Sequence, residues 1–186
     1  MTCIVAAKAK DGSIVMGADS AGSDSWSLIV LKDPKIYRVG SMLIGFTSSY
    51  RMGQLLGHSL SLPEHHADVP LEKYMATTFM DAVRSCLKNG GYAKTENSVE
   101  SGGTFLAAYK GRIFQVQENF SVVENGRDYD SCGSGFMLAL GSLYATVEMK
   151  DTKKRVELAL DAAESFCASV RGPMRVEVLS ASGSRS

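Results

Sequence analysis

The sequence lacks a charge excess of either sign and a long hydrophobic run. Its 20 lysine and arginine residues balance 20 aspartate and glutamate residues, so the formal net charge of the 186 residues is zero. A nucleic-acid-binding protein usually carries a basic excess or a basic stripe, so this balance argues against nucleic acid as a partner. No apolar stretch approaches the roughly 18 residues that a membrane-spanning helix needs. The composition therefore predicts a soluble globular protein that binds neither nucleic acid nor a membrane.

Cysteine is scarce and unpaired in the sequence. The four cysteines are widely spaced and form no Cys-x-x-Cys pair: Cys3, Cys86, Cys132 and Cys167. This usage favours reduced thiols in a cytoplasmic protein over a disulfide framework or a zinc site. The three histidines have no acidic or cysteine partner at metal-ligand spacing, so we expect neither a metal nor a cofactor.

The N-terminus offers no secretory signal, because its apolar stretch covers only residues 4–7 and Lys8 closes it. The length fits one domain with a sizeable core, and no linker or internal repeat interrupts it. We expect a single domain over residues 1–179. The small polar segment 180–186 is expected to be a disordered tail.

The hydrophobic pattern predicts β-hairpins, two helices, further β-hairpins, two more helices and a final strand. Turn signals at Asp11-Gly12, Gly40-Ser41 and Lys110-Gly111 separate short β-rich runs. Apolar residues recur at helical spacing over 52–60, 71–87, 136–147 and 156–170, while 20–27 and 92–101 read as loops. Consecutive hairpins give antiparallel sheets whose faces the helix pairs must cover. The predicted class is therefore α+β, with two stacked sheets and helix pairs outside them.

Thr2 is the first residue that could carry chemistry. Initiator methionine is normally removed when the next residue is small, which would leave a threonine with a hydroxyl and a free α-amine. The α-amine has an ordinary pKa of about 7.7–8.0, which suits a general base near neutral pH. A threonine activated by its own amine is a known nucleophile. A Met-Thr start is common, so this dipeptide alone does not indicate catalysis.

Two further elements stand where they could serve such a nucleophile. Asp19 ends an apolar strand and Lys35 begins the next one. A lysine beside the N-terminal amine would favour the neutral, basic form of the amine, and Asp19 would hold that lysine. The alternative is that Asp19 caps a loop and Lys35 is a solvated strand end. Gly133-Ser134-Gly135 precedes a helix, where Ser134 is either an N-cap or a hydroxyl near an active site.

Taken in order, these segments resemble the proteasome β-subunit family of N-terminal-nucleophile hydrolases. That family includes the bacterial peptidase that partners an ATP-dependent unfoldase and small proteasome-related proteins of bacteria and phages. The matching features run from Thr2 to about Leu179: Thr2 opening a strand, Gly17-Ala18-Asp19-Ser20, Lys35 within 35–39, the segment 43–49, Gly133-Ser134-Gly135, and the terminal helix pair and strand.

The resemblance implies a four-layer αββα sandwich and a set of site residues. Thr2 would be the nucleophile, Asp19 and Lys35 the buried charge pair that tunes it, and Ser134 a proton relay near the amine. The backbone N–H of Ser49 would form the oxyanion hole, and such a donor contributes roughly 3–4 kcal/mol. Thr47 and Arg51 would line the substrate pocket, since they are near Ser49 in sequence.

Some positions depart from the family pattern. The family usually has glycine where Ser49 stands, and many members carry an Asp and a Ser after the last helix. Here segment 167–172 contains no Asp, although Ser169 could substitute in part. The bacterial unfoldase-linked branch also lacks that Asp. Only Met1 precedes Thr2, so maturation would need methionine aminopeptidase, and retained Met1 would leave the enzyme inactive.

The sequence therefore predicts a cytoplasmic threonine-type peptidase that hydrolyses peptides or unfolded proteins inside a homo-oligomeric ring, with an ATP-dependent unfoldase as a candidate partner. Two alternatives stay open. One is an N-terminal-nucleophile amidase acting on a small molecule. The other is a catalytically silent ring or scaffold protein, which the missing Asp and the serine at position 49 favour.

Overall fold

A computed structural model of the chain describes residues 2–23, 26–96 and 99–181. Met1 and residues 182–186 of the predicted tail lie outside this part. The strands are β1 (Cys3–Lys8), β2 (Ile14–Ala18), β3 (Ala21–Ser23), β4 (Leu28–Val30), β5 (Ile36–Val39), β6 (Met42–Phe46), β7 (Lys94–Glu96), β8 (Val99–Ser101), β9 (Phe105–Tyr109), β10 (Arg112–Val116), β11 (Val122–Val123), β12 (Tyr129–Gly133) and β13 (Arg175–Leu179). The helices are α1 (Tyr50–His58), α2 (Leu71–Tyr74), α3 (Met80–Asn89), α4 (Phe136–Ala145) and α5 (Thr152–Phe166).

Two antiparallel sheets contain most of the strands. The first has the order β12-β1-β2-β13, and the second has the order β11-β10-β9-β6-β5. Strand β1 lies between β2 and β12, with Ile4 opposite Ala18 on one side and Cys3 opposite Gly133 on the other. The remaining pairs, β3–β4 and β7–β8, are small two-stranded hairpins. The predicted antiparallel α+β class is confirmed.

Three hydrophobic clusters show how the elements pack. One joins the inner faces of the two sheets, through side chains such as Ile4, Met16 and Leu43. A second joins the other face of the five-stranded sheet to α1, α2 and α3. A third joins the other face of the four-stranded sheet to α4 and α5. Because side chains alternate along a strand, β1 supplies residues to two of these clusters. Cys3 faces α4 and α5, and Ile4 faces the other sheet.

The helices agree with the predicted periodicity, with two exceptions: the helix predicted over 156–170 ends at Phe166, and the helix predicted over 71–87 is interrupted. The predicted helix over 71–87 is α2 followed by a π-helical turn at Met75–Phe79 and then α3. A single π-helical turn inside an α-helix inserts one extra residue and rotates the following turns, so both parts can bury their apolar sides. Among the described residues, no helix is both long and apolar enough to cross a membrane.

Several strands escaped sequence analysis. The predicted loop 20–27 contains β3, and the predicted loop 92–101 contains β7 and β8, so both loop predictions were wrong in part. Strand β12 was not predicted at all, because Asp130 and Ser131 interrupt its apolar pattern. Both polar side chains are nevertheless buried, so the polarity of this segment gives no sign that it is a buried strand. This strand matters because it places Gly133 and Ser134 beside the start of β1.

Gly133 fixes how closely β12 approaches Thr2. Its φ angle is +96°, a backbone conformation that side-chain-bearing residues rarely adopt. A Cβ at this position would lie 2.2 Å from the carbonyl oxygen of Thr2. Glycine is therefore required here for two independent reasons, the backbone angle and the space.

We predict that Gly133→Ala destabilises the fold and displaces the start of β1. Backbone strain alone should lower the free energy of unfolding by about 1–3 kcal/mol, measured by urea denaturation. Gly126→Ala is the matched control, because φ at Gly126 is not positive and nothing lies within 4 Å of the added Cβ. It should stay within about 0.5 kcal/mol of the parent. Equal stability of the two variants would contradict the close approach of β12 to Thr2.

Candidate active site

Thr2 lies at the start of β1 and is buried. Its backbone nitrogen donates to Oγ of Ser134 at 3.2 Å, and the same Oγ donates to the Thr2 carbonyl at 3.2 Å. The N–H of Gly135 also points at that carbonyl, at 3.4 Å. The structure thus brings together Thr2 and Ser134, two of the site residues predicted from the sequence.

Asp19 and Lys35 form a buried ion pair. Asp19 follows β2, Lys35 precedes β5, and Lys35 Nζ donates to Asp19 Oδ1 at 2.9 Å. The side chain of Lys35 is only 1% exposed, and that of Asp19 is fully buried. Burial lowers the pKa of the Lys35 ammonium, and the Asp19 carboxylate acts against that shift. The alternative that Lys35 is a solvated strand end is excluded by this geometry.

The Asp19 carboxylate also holds three backbone segments. It accepts from the N–H of Cys3 at 3.0 Å, of Ala21 at 2.9 Å and of Arg171 at 3.4 Å. The Cys3 N–H and the Lys35 ammonium share Oδ1, and both lie within 3.0 Å of it. They are therefore at most about 6 Å apart, which places the ammonium beside the peptide that joins Thr2 to Cys3.

Ser134 belongs to a chain of hydroxyl and thiol groups. The N-cap residue of α4 is Gly135 and no side chain caps the helix, so Ser134 is not its N-cap. Oγ of Ser134 lies 2.8 Å from Oγ of Ser169, which in turn lies 3.3 Å from Sγ of Cys167. Together with the 3.2 Å contact to Thr2, these bonds connect the Thr2 nitrogen to the segment after α5. Ser169 thus occupies the region in which the sequence lacked an Asp.

The Cys167 thiol differs from the other three. Partial burial acts to raise its pKa, but hydrogen bonds from the Ser169 hydroxyl and N–H and from Ser134 outweigh burial, and the net pKa is lowered. Burial instead raises the pKa of Cys3 to about 12. Burial also raises the pKa of Cys86 and, strongly, that of Cys132. The thiol at the end of the chain of hydroxyls is therefore the most readily ionised of the four.

The oxyanion donor predicted at Ser49 is already engaged. Its N–H donates to the Thr47 carbonyl at 2.6 Å, across a tight turn in which Ser48 has a φ of +60°. Its hydroxyl caps α1 by accepting from the Arg51 N–H at 3.1 Å. In this conformation neither group of Ser49 is directed at a substrate.

The structure separates the two predicted pocket residues. Arg51 reaches the Gly90 carbonyl at 3.1 Å and lines a cleft of about 560 Å³ together with Asp33. Thr47 donates to the Thr104 carbonyl at 2.6 Å and lines a different cleft of about 420 Å³. Only the cleft at Thr47 also contains Gly133, the residue in contact with Thr2.

The 420 Å³ cleft contains a residue that the sequence analysis missed. Its walls come from both sheets and from α4: Thr47, Thr104, Gln115, Asn125, Asp130, Ser131, Cys132, Gly133, Phe136 and Leu140. Asp130 is the only ionisable carboxylate among these lining residues. Its sequence signal was an aspartate three residues before Gly133, inside a segment too polar to be read as a strand. Across the described ranges, no group of three or more His, Cys, Asp or Glu side chains is placed to hold a metal ion.

Neither protein-family models nor curated proteins give a match to the sequence. Solved structures do match. Thiobacillus denitrificans BPH in complex with epoxomicin superposes with a TM-score of 0.76 at 22% identity, covering 96% of this chain and 98% of that chain. A second structure of Thiobacillus denitrificans BPH gives 0.75 and 22%, covering 96% and 97%. Eukaryotic HslV from Trypanosoma brucei gives 0.68 and 15%, covering 96% and 99%. The resemblance inferred from Thr2, Asp19, Lys35 and Ser134 is thereby confirmed as a likeness of fold over nearly the whole chain.

We predict a strong coupling between Asp19 and Lys35. Lys35→Met or Asp19→Asn should each lower the free energy of unfolding by about 3–5 kcal/mol, because each leaves a buried charge without its partner. The double variant should lose clearly less than the sum of the two, as measured by urea denaturation at one protein concentration. Lys154→Met removes one member of an exposed ion pair on α5 and should cost less than about 1 kcal/mol. Additive effects in the double variant would contradict the buried pair.

Proposed function

We propose that this chain is a threonine-type peptidase subunit in which Thr2 becomes the N-terminal nucleophile after removal of Met1. The observation that carries the proposal is the contact between the Thr2 nitrogen and Ser134 Oγ, beside a buried ammonium and next to Gly133, which lines a cleft. An N-terminal threonine needs a base, a means of orienting that base and a place for the substrate. Each requirement has a candidate within a few ångströms of Thr2.

The proposed reaction has two stages. The free α-amine of Thr2 takes the proton of its own Oγ, which attacks the peptide carbonyl carbon and forms a tetrahedral intermediate. The C–N bond then breaks, the amine gives its proton to the leaving nitrogen, and an ester joins the acyl group to Thr2 Oγ. A water molecule then gives a proton to the same amine and attacks the ester carbon. The bond between that carbon and Thr2 Oγ breaks, the amine returns its proton to Oγ, and the carboxylic acid product leaves. Proton and electron pair balance in each stage without a cofactor.

Ser134 and Lys35 would prepare the amine for this role. The Ser134 hydroxyl accepts a hydrogen bond from the Thr2 nitrogen, which orients the nitrogen lone pair. The Lys35 ammonium disfavours a second positive charge nearby, so it favours the neutral amine that can act as a base. Asp19 keeps that ammonium charged and in place. The chain through Ser169 to Cys167 orients Ser134 from its other side.

Ser49 N–H is the proposed oxyanion donor, and this step needs a local change. A substrate carbonyl would have to replace the Thr47 carbonyl as the acceptor of that N–H. A peptide that binds in extended form along this segment brings carbonyl groups that could make the exchange. The site described here would then be a resting form that substrate binding completes.

Assembly into a homo-oligomeric ring belongs to the same proposal. The three hydrophobic clusters support the predicted four-layer αββα sandwich as one domain, with α4 on an outer layer. Helix α4 exposes large apolar side chains, among them Met137 at 71% and Tyr144 at 62%. Apolar patches of this kind are typical of protein–protein contacts. We propose a ring in the cytoplasm that receives unfolded polypeptide from an ATP-dependent unfoldase, since HslV shares the fold.

One observation favours the scaffold alternative. The bond between the Ser49 N–H and the Thr47 carbonyl leaves the proposed oxyanion donor occupied. A catalytically silent ring protein would keep the fold and the assembly surface but hydrolyse no peptide. Processing of the N-terminus together with assembly, but without hydrolysis, would identify this case.

We predict that mass spectrometry of the whole protein shows no Met1, and that the protein hydrolyses fluorogenic peptides through Thr2. Thr2→Ala keeps a small second residue, so Met1 is still removed and only the hydroxyl is lost. This variant should lower kcat/KM by roughly 10⁴-fold or more. Thr2→Ser retains a hydroxyl and an amine and should keep measurable activity. Retained Met1 in the mass spectrum, or a Thr2→Ala variant as active as the parent, would exclude Thr2 as the nucleophile.

We predict that α4 lies in a subunit contact. Analytical ultracentrifugation should show an oligomer of the parent chain, and Met137→Glu or Tyr144→Lys should shift it toward smaller species, because each places a charge in an apolar contact. Val178→Glu changes an exposed apolar residue on β13, the strand at the opposite edge of the first sheet from β12, and should leave the sedimentation coefficient unchanged. A monomeric parent protein would count against the ring.

A further inference from the structure

Asp130 is a buried carboxylate on β12, beside the apolar cluster between the two sheets. Strand β12 is the edge strand of the first sheet, and Asp130 lies opposite Ala6 of β1. Ala6 and Cys132 both belong to the cluster between the two sheets, so the period-two alternation turns Asp130 toward that same space. The residue is only 4% exposed. Burying a carboxylate costs folding free energy unless it is paired or hydrogen-bonded.

The Asp130 carboxylate has no cationic partner among the described residues. Its Oδ1 accepts from the Ser131 N–H at 2.8 Å and from Asn125 Nδ2 at 3.5 Å. Within the same part of the chain its Oδ2 accepts no hydrogen bond and forms no ion pair, and the side chain lines the 420 Å³ cleft. Burial raises the pKa of this carboxyl group. Oδ2 is not among the buried side-chain atoms that lack a partner, so it is accessible from the cleft, where it can accept a hydrogen bond from a ligand.

The lining of the cleft suits a long cationic side chain. It includes Thr47 and Gly133, and Gly133 lies against the Thr2 carbonyl. Phe136 and Leu140 of α4 supply an apolar wall against which methylene groups can pack. Asp130 supplies the charge. A residue of a substrate bound next to Thr2 could therefore place its alkyl stem on the wall and its charged end at the carboxylate.

We propose that this cleft binds the cationic side chain of a lysine or arginine residue close to the scissile bond of the substrate, with Asp130 as its counter-charge. The substrate part of this inference rests on the proposed peptidase function. The affinity of the cleft for an alkyl cation does not, because it depends only on Asp130 and the lining residues.

The first test measures binding of a small cation without any hydrolysis. Isothermal titration calorimetry compares n-butylguanidinium with n-butylurea, which has nearly the same shape and no charge. The parent protein should bind n-butylguanidinium at least about ten-fold more tightly, since a charge-assisted hydrogen bond is lost with the urea. Equal affinity for the two compounds overturns the proposal, and this comparison needs no variant.

Two variants locate the binding. Asp130→Asn keeps the shape of the side chain and an acceptor for the Ser131 N–H, and it should abolish the difference between the two compounds. Asp128→Asn removes the same charge two residues away, from a side chain that is 78% exposed and paired with Lys8 at 3.8 Å, and should keep the difference. A difference that survives in Asp130→Asn, or vanishes in Asp128→Asn, places the site elsewhere and overturns the assignment.

The second test uses peptide cleavage. Fluorogenic peptides that carry lysine or norleucine at one position beside the scissile bond, scanned over the flanking positions, should give a ratio of kcat/KM of at least about ten at one position. That ratio should fall to near one in Asp130→Asn and stay in Asp128→Asn. Cleavage of all peptides with no preference overturns the specificity role. Guanidinium binding without cleavage of any peptide contradicts the peptidase function but leaves the cation site standing.

Discussion

A lysine ammonium buried between two sheets can exist only if an opposite charge is held against it, and this requirement organises the candidate site. Asp19 meets it at 2.9 Å, but the same carboxylate also receives the N–H groups of Cys3, Ala21 and Arg171. One side chain thus joins the start of β1, the segment after β2 and the segment after α5. Because the pair is almost fully buried, losing either charge would disturb all of these segments together. The position of Thr2 depends on that pair.

The pairing of β1 with β12 adds the second constraint. Gly133 allows a backbone approach that no other residue would permit, and the next residue, Ser134, then meets the Thr2 nitrogen. From there the hydrogen bonds continue to Ser169 and Cys167. The nitrogen of Thr2 is therefore placed from one side by the ion pair and from the other by hydroxyl groups. The proposed role of this nitrogen as a base needs such support, since a catalytic group must be held within about 0.5 Å of its productive position.

The elements that could be predicted from the sequence are those whose conformation depends on neighbouring residues. Asp11-Gly12 marks a hairpin, and the stripe from Leu71 to Leu87 marks a helix, since turns and amphipathic helices depend on nearby residues. Strand β12 was missed because Asp130 and Ser131 are polar yet buried, and only the distant strand β1 makes that segment a strand. The small hairpins β3–β4 and β7–β8 were missed because three-residue strands carry almost no pattern.

The candidate site divides in the same way, into residues that could be predicted from the sequence and features that depend on the tertiary structure. Thr2, Asp19, Lys35 and Ser134 were named from their order in the chain and the family resemblance, and the structure brings them together. The engagement of the Ser49 N–H by Thr47 could not be foreseen, because it depends on the φ of Ser48, and serine does not indicate a positive φ. Thr47 and Arg51 were grouped by nearness in sequence, yet α1 begins between them and turns Arg51 toward another cleft. Asp130 could be assigned to the cleft only from the arrangement of both sheets, because both supply its walls.

The central claim, that Thr2 Oγ is the reacting atom, is tested most directly by locating the acyl group on the protein. The chain is mixed with an activated peptide ester, quenched in acid within the first turnover and digested, and the acylated residue is identified by tandem mass spectrometry. We predict one acyl group, on a Thr2 that has a free N-terminus. An acyl group on Cys167 or Ser134, or a Thr2 still preceded by Met1, would contradict it.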